Sequence, residues 1–296
     1  MGRWRERFQR IDRLLALAER HLERLAGGGA DAQLFARHAA FRWEPEPGGG
    51  RLAPIPSPRH FDLDDLVGVD RAVERLLRNT EQFVRGLPSN HVLLHGERGT
   101  GKSSAVRGLL SRFAGRGLRV IEVHKGDLLH LPRILEALGD APLRFLLYCD
   151  DLSFDAGEPG HRELKAALEG SFDGPTENVR IIATSNRRHL LPEYASDAAG
   201  AYLDERGELH LGEVAEEKLA LSDRFGLVIG FYGFDQATYL RIVDRWAEKA
   251  GLDLPREELH ARALTWAVQR ASRSGRTARQ FVDDLAGRRA LDGAES

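Results

Sequence analysis

Cysteine is nearly missing: Cys149 is the single one among 296 residues. No intramolecular disulfide can form, which suits a reducing compartment. Excess charge is missing as well, with a formal net charge of −2. A strong electrostatic case for nucleic acid or an anionic membrane therefore fails, although a local basic patch stays open. No apolar run approaches membrane-spanning length, and the first residues lack the apolar centre of a signal peptide. Together these absences lead us to expect a cytoplasmic protein with no membrane partner. What is present, 42% hydrophobic and 30% charged residues, describes a globular chain with a real core, in one large domain or two smaller ones.

The chain is organised around the stretch from His91 to Ser104. Val92, Leu93 and Leu94 form an apolar run of strand type that ends at Gly96. Glu97, Arg98, Gly99 and Thr100 intervene, and Gly101-Lys102-Ser103-Ser104 opens a helix that reaches Phe113. This is the spacing of a phosphate-binding loop in its setting of strand, loop and helix. Glycines at 96, 99 and 101 let the backbone curl so that successive N–H groups face a polyphosphate. The helix that follows aims its positive dipole end at the same anion. Lys102 is placed to neutralise the β- and γ-phosphates of a nucleotide, and the Ser103 hydroxyl to ligate Mg²⁺.

Strands and helices alternate around this loop. Apolar runs at 119–123, 145–149, 179–184 and 227–231, with the one before Gly96, predict a five-stranded parallel sheet between helices. The run at 145–149 delivers Asp150-Asp151 to the carboxyl edge of that sheet, beside the phosphate loop. There Asp150 can organise Mg²⁺ and Asp151 can polarise an attacking water. The run at 179–184 brings Asn186 to the same edge, where its amide can bond the γ-phosphate and the water. Arg224 falls just before the last strand, away from its own phosphate loop, and is placed to reach a neighbouring subunit's nucleotide. An amphipathic helix over 71–85 carries Asp70 at its expected cap, and Asp235 is the expected cap of a later one. Polar residues from 192 to 213 hold an expected hairpin around Arg206-Gly207. Three helices close the chain, and Arg279, with Arg276 as its competitor, can reach back to the phosphates.

Outside this core, residues 1–42 read as a mildly basic helical arm. Phe8, Ile11, Leu14, Leu15, Leu22 and Leu25 recur close to helical spacing. The Pro/Gly cluster over 43–60 supports neither a helix nor a central strand and reads as a linker. A nucleotide-binding core over 61–232 and a helical lid with its tail over 233–296 complete the expected division.

Taken in order, these segments resemble the AAA+ ATPases. Leu66-Val67-Gly68 resembles the stretch that cradles adenine, which adds Val67 and Gly68 to the nucleotide contacts. Gly96 to Ser103 matches Walker A, and Asp150-Asp151 matches Walker B. Asn186 falls at sensor 1, Ser222-Asp223-Arg224-Phe225 resembles the arginine-finger box, and Arg279 falls at sensor 2. Finer runs, Cys149-Asp-Asp-Leu-Ser-Phe154 and Leu221-Ser-Asp-Arg-Phe-Gly226 among them, are similar to a bacterial family of predicted AAA+ ATPases known as a domain of unknown function. The resemblance implies ATP and Mg²⁺ as cofactors and a homo-oligomer in which Arg224 acts in trans. It says nothing about the macromolecular client. Walker B departs from the usual Asp-Glu, and the shorter Asp151 holds its carboxylate about one methylene further back. Slow hydrolysis that remodels or loads a partner is the first expected function. An ATP-dependent assembly switch is the alternative, and a small-molecule kinase is disfavoured by the finger and the lid.

Overall fold

The computed structural model describes residues 32–47, 49–139, 141–154, 159–169, 177–186, 202–203, 209–210 and 222–294. The arm helix expected over residues 4–25 lies outside them, as do Arg187, Arg188 and most of the 192–213 stretch. Within that stretch, a short pair is formed by β7 (Tyr202–Leu203) and β8 (Leu209–His210), antiparallel about the place expected for a hairpin.

Five strands form the parallel body of the sheet. They are β3 (Val92–Gly96), β4 (Leu118–Glu122), β5 (Arg144–Cys149), β6 (Val179–Ser185) and β9 (Leu227–Phe231), in the spatial order β4-β5-β6-β3-β9. Side chains alternate across the sheet, and both faces are apolar because both are covered by helices. Leu93, Phe145, Leu147, Cys149 and Ile181 enter one core, whereas Val92, Leu94, Leu146 and Ile182 enter the other. The first core is closed by α4 (Leu131–Leu138) and α5 (Pro159–Glu169), through Ile134 and Leu164. The second is closed by α2 (Asp70–Val84) and α3 (Lys102–Phe113), through Leu76, Phe83, Val106 and Leu109. Burial pushes the Cys149 thiol up to about 12, so the sole cysteine is packing material and not a nucleophile.

Among the described residues the sheet has seven strands, not five. After α1 (Ala32–Arg37), the chain forms β1 (Ala40–Glu44), which pairs parallel with β4, and β2 (Arg51–Pro54), which turns back antiparallel along β1. The stretch read as a linker therefore supplies an edge strand and the turn leading into it. The physical reason is position. An edge strand tolerates a proline that a central one would not, and the Pro47/Gly49 cluster makes the turn, where Gly49 N donates to Glu46 O at 3.0 Å. Phe41 and Trp43 are buried in the first core, which anchors the hairpin.

One cap also differs from expectation. Asp70 is the first residue of α2 and Val69 holds the cap position, with no side-chain cap bond. The carboxylate sits in the first turn, where it faces the positive end of the helix dipole. Asp235 does cap α6 (Gln236–Lys249), accepting from Thr238 N at 2.8 Å. With α7 (Arg256–Gln269) and α8 (Gly275–Ala294), α6 builds a separate helical lid around Tyr239, Val243, Ala263 and Phe281.

At the edge of the sheet opposite the glycine loop, His91 Nδ1 accepts a hydrogen bond from Ile181 N at 2.9 Å. Only a neutral imidazole can accept there. Burial, and then the charge of Arg180, pull the His91 pKa from 6.5 down to about 4. Between these values the unfolded chain takes up a proton that the folded chain refuses, so stability falls as pH drops through that window. We expect a loss of about 1.4 kcal/mol per pH unit at steepest. Denaturant unfolding from pH 7 to pH 4 should show this slope, and His91→Gln should flatten it.

Candidate functional site

The glycine loop is shaped by close backbone approach. Gly96 has φ of 133°, and a Cβ there would lie 1.8 Å from Phe231 O on β9. Glu97 N donates to the same carbonyl at 3.1 Å, so the loop leaves the sheet bound to its neighbour strand. Gly101, at φ of 105°, holds the position just before α3. Thr100 is buried and donates to Glu97 O at 2.8 Å, which closes the curl from within. Lys102 is also buried and donates to Gly96 O and Glu97 O, each at 2.7 Å, and to Asn186 Oδ1 at 3.3 Å. Burial lowers its pKa, with Asp151 and Asp150 acting to raise it and Arg276 and Arg98 to lower it.

Two carboxylates meet this loop from β5. Asp150 Oδ1 accepts from Ser103 Oγ at 2.9 Å and from Thr184 Oγ1 at 2.5 Å. Burial acts to raise the Asp150 pKa, but hydrogen bonds, led by that from Thr184, outweigh it and keep the group ionised. Asp151 has left-handed backbone, with φ of 51°, a conformation that aspartate tolerates better than most residues. Its N–H donates to Thr184 Oγ1 at 2.9 Å, and its carboxylate accepts from Asn186 Nδ2 at 2.5 Å. Loop lysine, both carboxylates and the amide thus form one hydrogen-bonded group. Thr184 ties it together and was not singled out from the sequence. The available signal was a hydroxyl at the end of a strand that is otherwise apolar.

This group opens onto a cleft of about 1440 Å³ between core and lid. Arg98, Ser104 and Val67 line it, with Trp246 and Ile242 from the lid. Gly68 (φ of 84°) packs against Thr238, while Glu97 is exposed with its carboxylate beside Gly233. The lid is tied to the loop by Gly275 N, which donates to Gly99 O at 2.9 Å. It is tied to the core a second time by Asp65, whose side chain is 4% exposed and pairs with Arg245 at 3.1 Å and with Lys249.

Of the two lid arginines, Arg276 stands nearer the loop. A Cβ on Gly99 would lie 3.3 Å from Arg276 Cβ, and the Arg276 charge acts on Lys102. Arg279 lines the cleft further out, its guanidinium 4.3 Å from the centre of the Trp246 ring and 2.8 Å from Asp283. Arg224 is not in the cleft lining. It precedes β9 at the opposite edge of the sheet and is ion-paired with Glu169 at the end of α5.

The donor set fits the groups that such a loop implies. A hydroxyl and an ionised carboxylate, Ser103 and Asp150, offer the hard oxygens that Mg²⁺ takes. Positive φ at Gly96, Gly99 and Gly101 curls the loop, and the missing Cβ atoms let it pack closely against Phe231, Ser274 and Leu66.

Sheet order, loop and helical lid together make the fold expected from the sequence, a parallel sheet between helices with the glycine loop at its carboxyl edge and a separate helical lid. The chain belongs to a family described as "Protein of unknown function (DUF815)", whose model matches residues 36–289. Among solved structures it is similar to the Thermotoga maritima RuvB Holliday junction branch migration motor, at 17% identity and a TM-score of 0.50, over 80% of this chain and 67% of that one. A mutant of the same RuvB aligns at 16% identity and a TM-score of 0.53, over 80% and 68%. The Aeropyrum pernix ORC1 protein in complex with DNA aligns at 15% identity and a TM-score of 0.52, and this chain covers 61% of its length against 76% of its own. At these identities the likeness concerns the fold. No curated protein matches the chain.

The Asp65 link gives a test of how the lid is held. Arg245 and Lys249 are about one-third exposed and can regain water, whereas Asp65 is buried. Asp65→Asn should therefore cost about 1.5–3 kcal/mol, measured by denaturant unfolding, and should speed hydrogen exchange in α6.

Proposed function

We propose that this protein binds ATP with Mg²⁺ in the cleft between core and lid and hydrolyses it slowly to drive work on a macromolecular partner. The observation that carries this reading is the single hydrogen-bonded group of Lys102, Ser103, Asp150, Asp151 and Asn186 at the mouth of the cleft. Loop N–H groups and Lys102 hold the phosphates. Ser103 and Asp150 would hold Mg²⁺, which would neutralise charge on the phosphate oxygens. Asp151 accepts a hydrogen bond from the attacking water and Asn186 orients it. The water oxygen bonds to the γ-phosphorus as its proton passes to Asp151, the bond to the bridging oxygen breaks, and ADP leaves with the electron pair. Arg276 is the better placed of the lid arginines to meet the γ-phosphate, and it replaces Arg279 in this reading. Arg224 serves the site of a neighbouring copy, so the working form is a homo-oligomer. A cytoplasmic setting remains part of the proposal.

The short Asp151 side chain supports a turnover below roughly ten per second, a typical enzyme median. It also favours the second reading, an assembly switch in which hydrolysis is only a timer. The two separate by experiment. We expect Lys102→Ala to lose ATP binding, and Asp151→Asn to keep binding while phosphate release falls by about 10² or more. Under the first reading Asp151→Asn also abolishes partner function, whereas a switch retains ATP-dependent assembly and its partner.

The trans assignment has its own assay. Arg224→Ala and Asp151→Asn should each be inactive alone, and mixing the two proteins should restore phosphate release. Restoration would come from interfaces that combine an intact Asp151 with an intact Arg224. No restoration on mixing, in the presence of assembly, would remove Arg224 from the reaction.

A further inference from the structure

A second concavity, of about 670 Å³, runs along α2 and α3 on the outer side of the turn at Leu63–Asp65. Its floor is apolar, with Leu63, Leu66 and Leu77 half-buried and Phe113 at its far end. Asp64, Asp70 and Glu74 edge it, all exposed, and among the described residues none of the three has an ion-pair partner. Glu81 is already paired with Arg85 and Arg116, so the other three carboxylates stand against Arg78 and Arg112 in the lining. An amphipathic helix with a basic polar face would satisfy both the floor and the rim.

We propose that this groove is the docking site for residues 4–25 of the same chain. The segment carries six arginines against four acids, and Phe8, Ile11, Leu15, Leu22 and Leu25 recur close to helical spacing. Its charge therefore complements the rim, and its apolar residues match the floor. The groove follows α2 from Asp70 to Glu81, about 18 Å at helical rise, long enough to take several turns of that segment.

The point of attachment is favourable. Residues 26–31 include Gly27-Gly28-Gly29, and six residues span at most about 20 Å. The described chain begins at Ala32, in α1. Arg119 Nε donates to Phe35 O at 2.7 Å, and Arg119 Nη1 donates to Ala114 O at 3.0 Å. One guanidinium thus joins α1 to the residue after Phe113, at the end of the groove. A tether this short gives the segment a high effective concentration there, so modest contacts suffice. Leu63 and Leu66 line the groove and the nucleotide cleft alike, so the docked segment rests on a wall of the active cleft. This inference does not depend on hydrolysis.

The test is hydrogen exchange of peptides from residues 4–25 in the full chain. Wild-type protein should protect this segment, and protection should persist on serial dilution. Asp70→Lys/Glu74→Lys changes two exposed positions outside the nucleotide cleft, and it should speed exchange in the segment about tenfold or more. Ile11→Asp/Leu15→Asp, which alters the segment itself, should do the same. An unprotected wild-type segment overturns the proposal. Protection that fades on dilution along with a fall in mass puts a second copy in the groove, which also overturns it. Protection that survives Asp70→Lys/Glu74→Lys places the segment elsewhere on the protein.

Discussion

The curl of backbone from Gly96 to Gly101 is the constraint on which the rest depends. Its glycines take positive φ values that other residues rarely reach, and Gly96 approaches β9 more closely than any side chain would allow. Lys102 then folds back and donates to two of the loop's own carbonyls, which fills the hollow of the curl with a buried ammonium. The loop consequently has three fixed neighbours: β9 through Phe231 O, the lid through Gly275 N, and the carboxyl edge of the sheet through Asn186 and Asp150.

This arrangement explains why core and lid form one site although their apolar centres are separate. The lid has its own core around Tyr239 and Phe281. It meets the sheet domain through the Gly275–Gly99 bond, the Asp65 pair with Arg245 and Lys249, the edge contact of Phe61 with Trp246, and apolar packing of Val67 and Phe234. The polar contacts set orientation, and Phe234, packed against both apolar clusters, joins the two bodies. Arg279 on the Trp246 ring and Arg276 by the loop are carried on the same helix, one turn apart. Any shift of α8 moves both.

Much of this was legible from residues alone. The five parallel strands, the glycine loop and the carboxylates at the edge of the sheet each follow from local pattern. Apolar runs flanked by turn residues define a strand wherever it pairs, and an acid directly after a buried strand must emerge at that strand's end. The hairpin of β1 and β2 was not legible, because prolines and glycines near 47–58 have the same composition in a linker and in an edge strand with its turn. Thr184 was hidden inside an apolar run. The Asp65 pairing joins residues about 180 positions apart, and no local pattern announces it.

The sequence by itself determined which side chains stand at each strand end and the order in which the chain meets them, since hydrophobic period, glycine placement and charge are local properties. Only the tertiary structure decided which of two equally spaced arginines stands by the phosphate loop, that Arg224 lies at the opposite edge of the sheet paired with Glu169, and that a proline-rich stretch completes the sheet. Those outcomes depend on how the lid is set against the core and on which strand stands at an edge. Both are fixed by packing between distant segments, where energies of a few kcal/mol choose among arrangements that local sequence leaves equal.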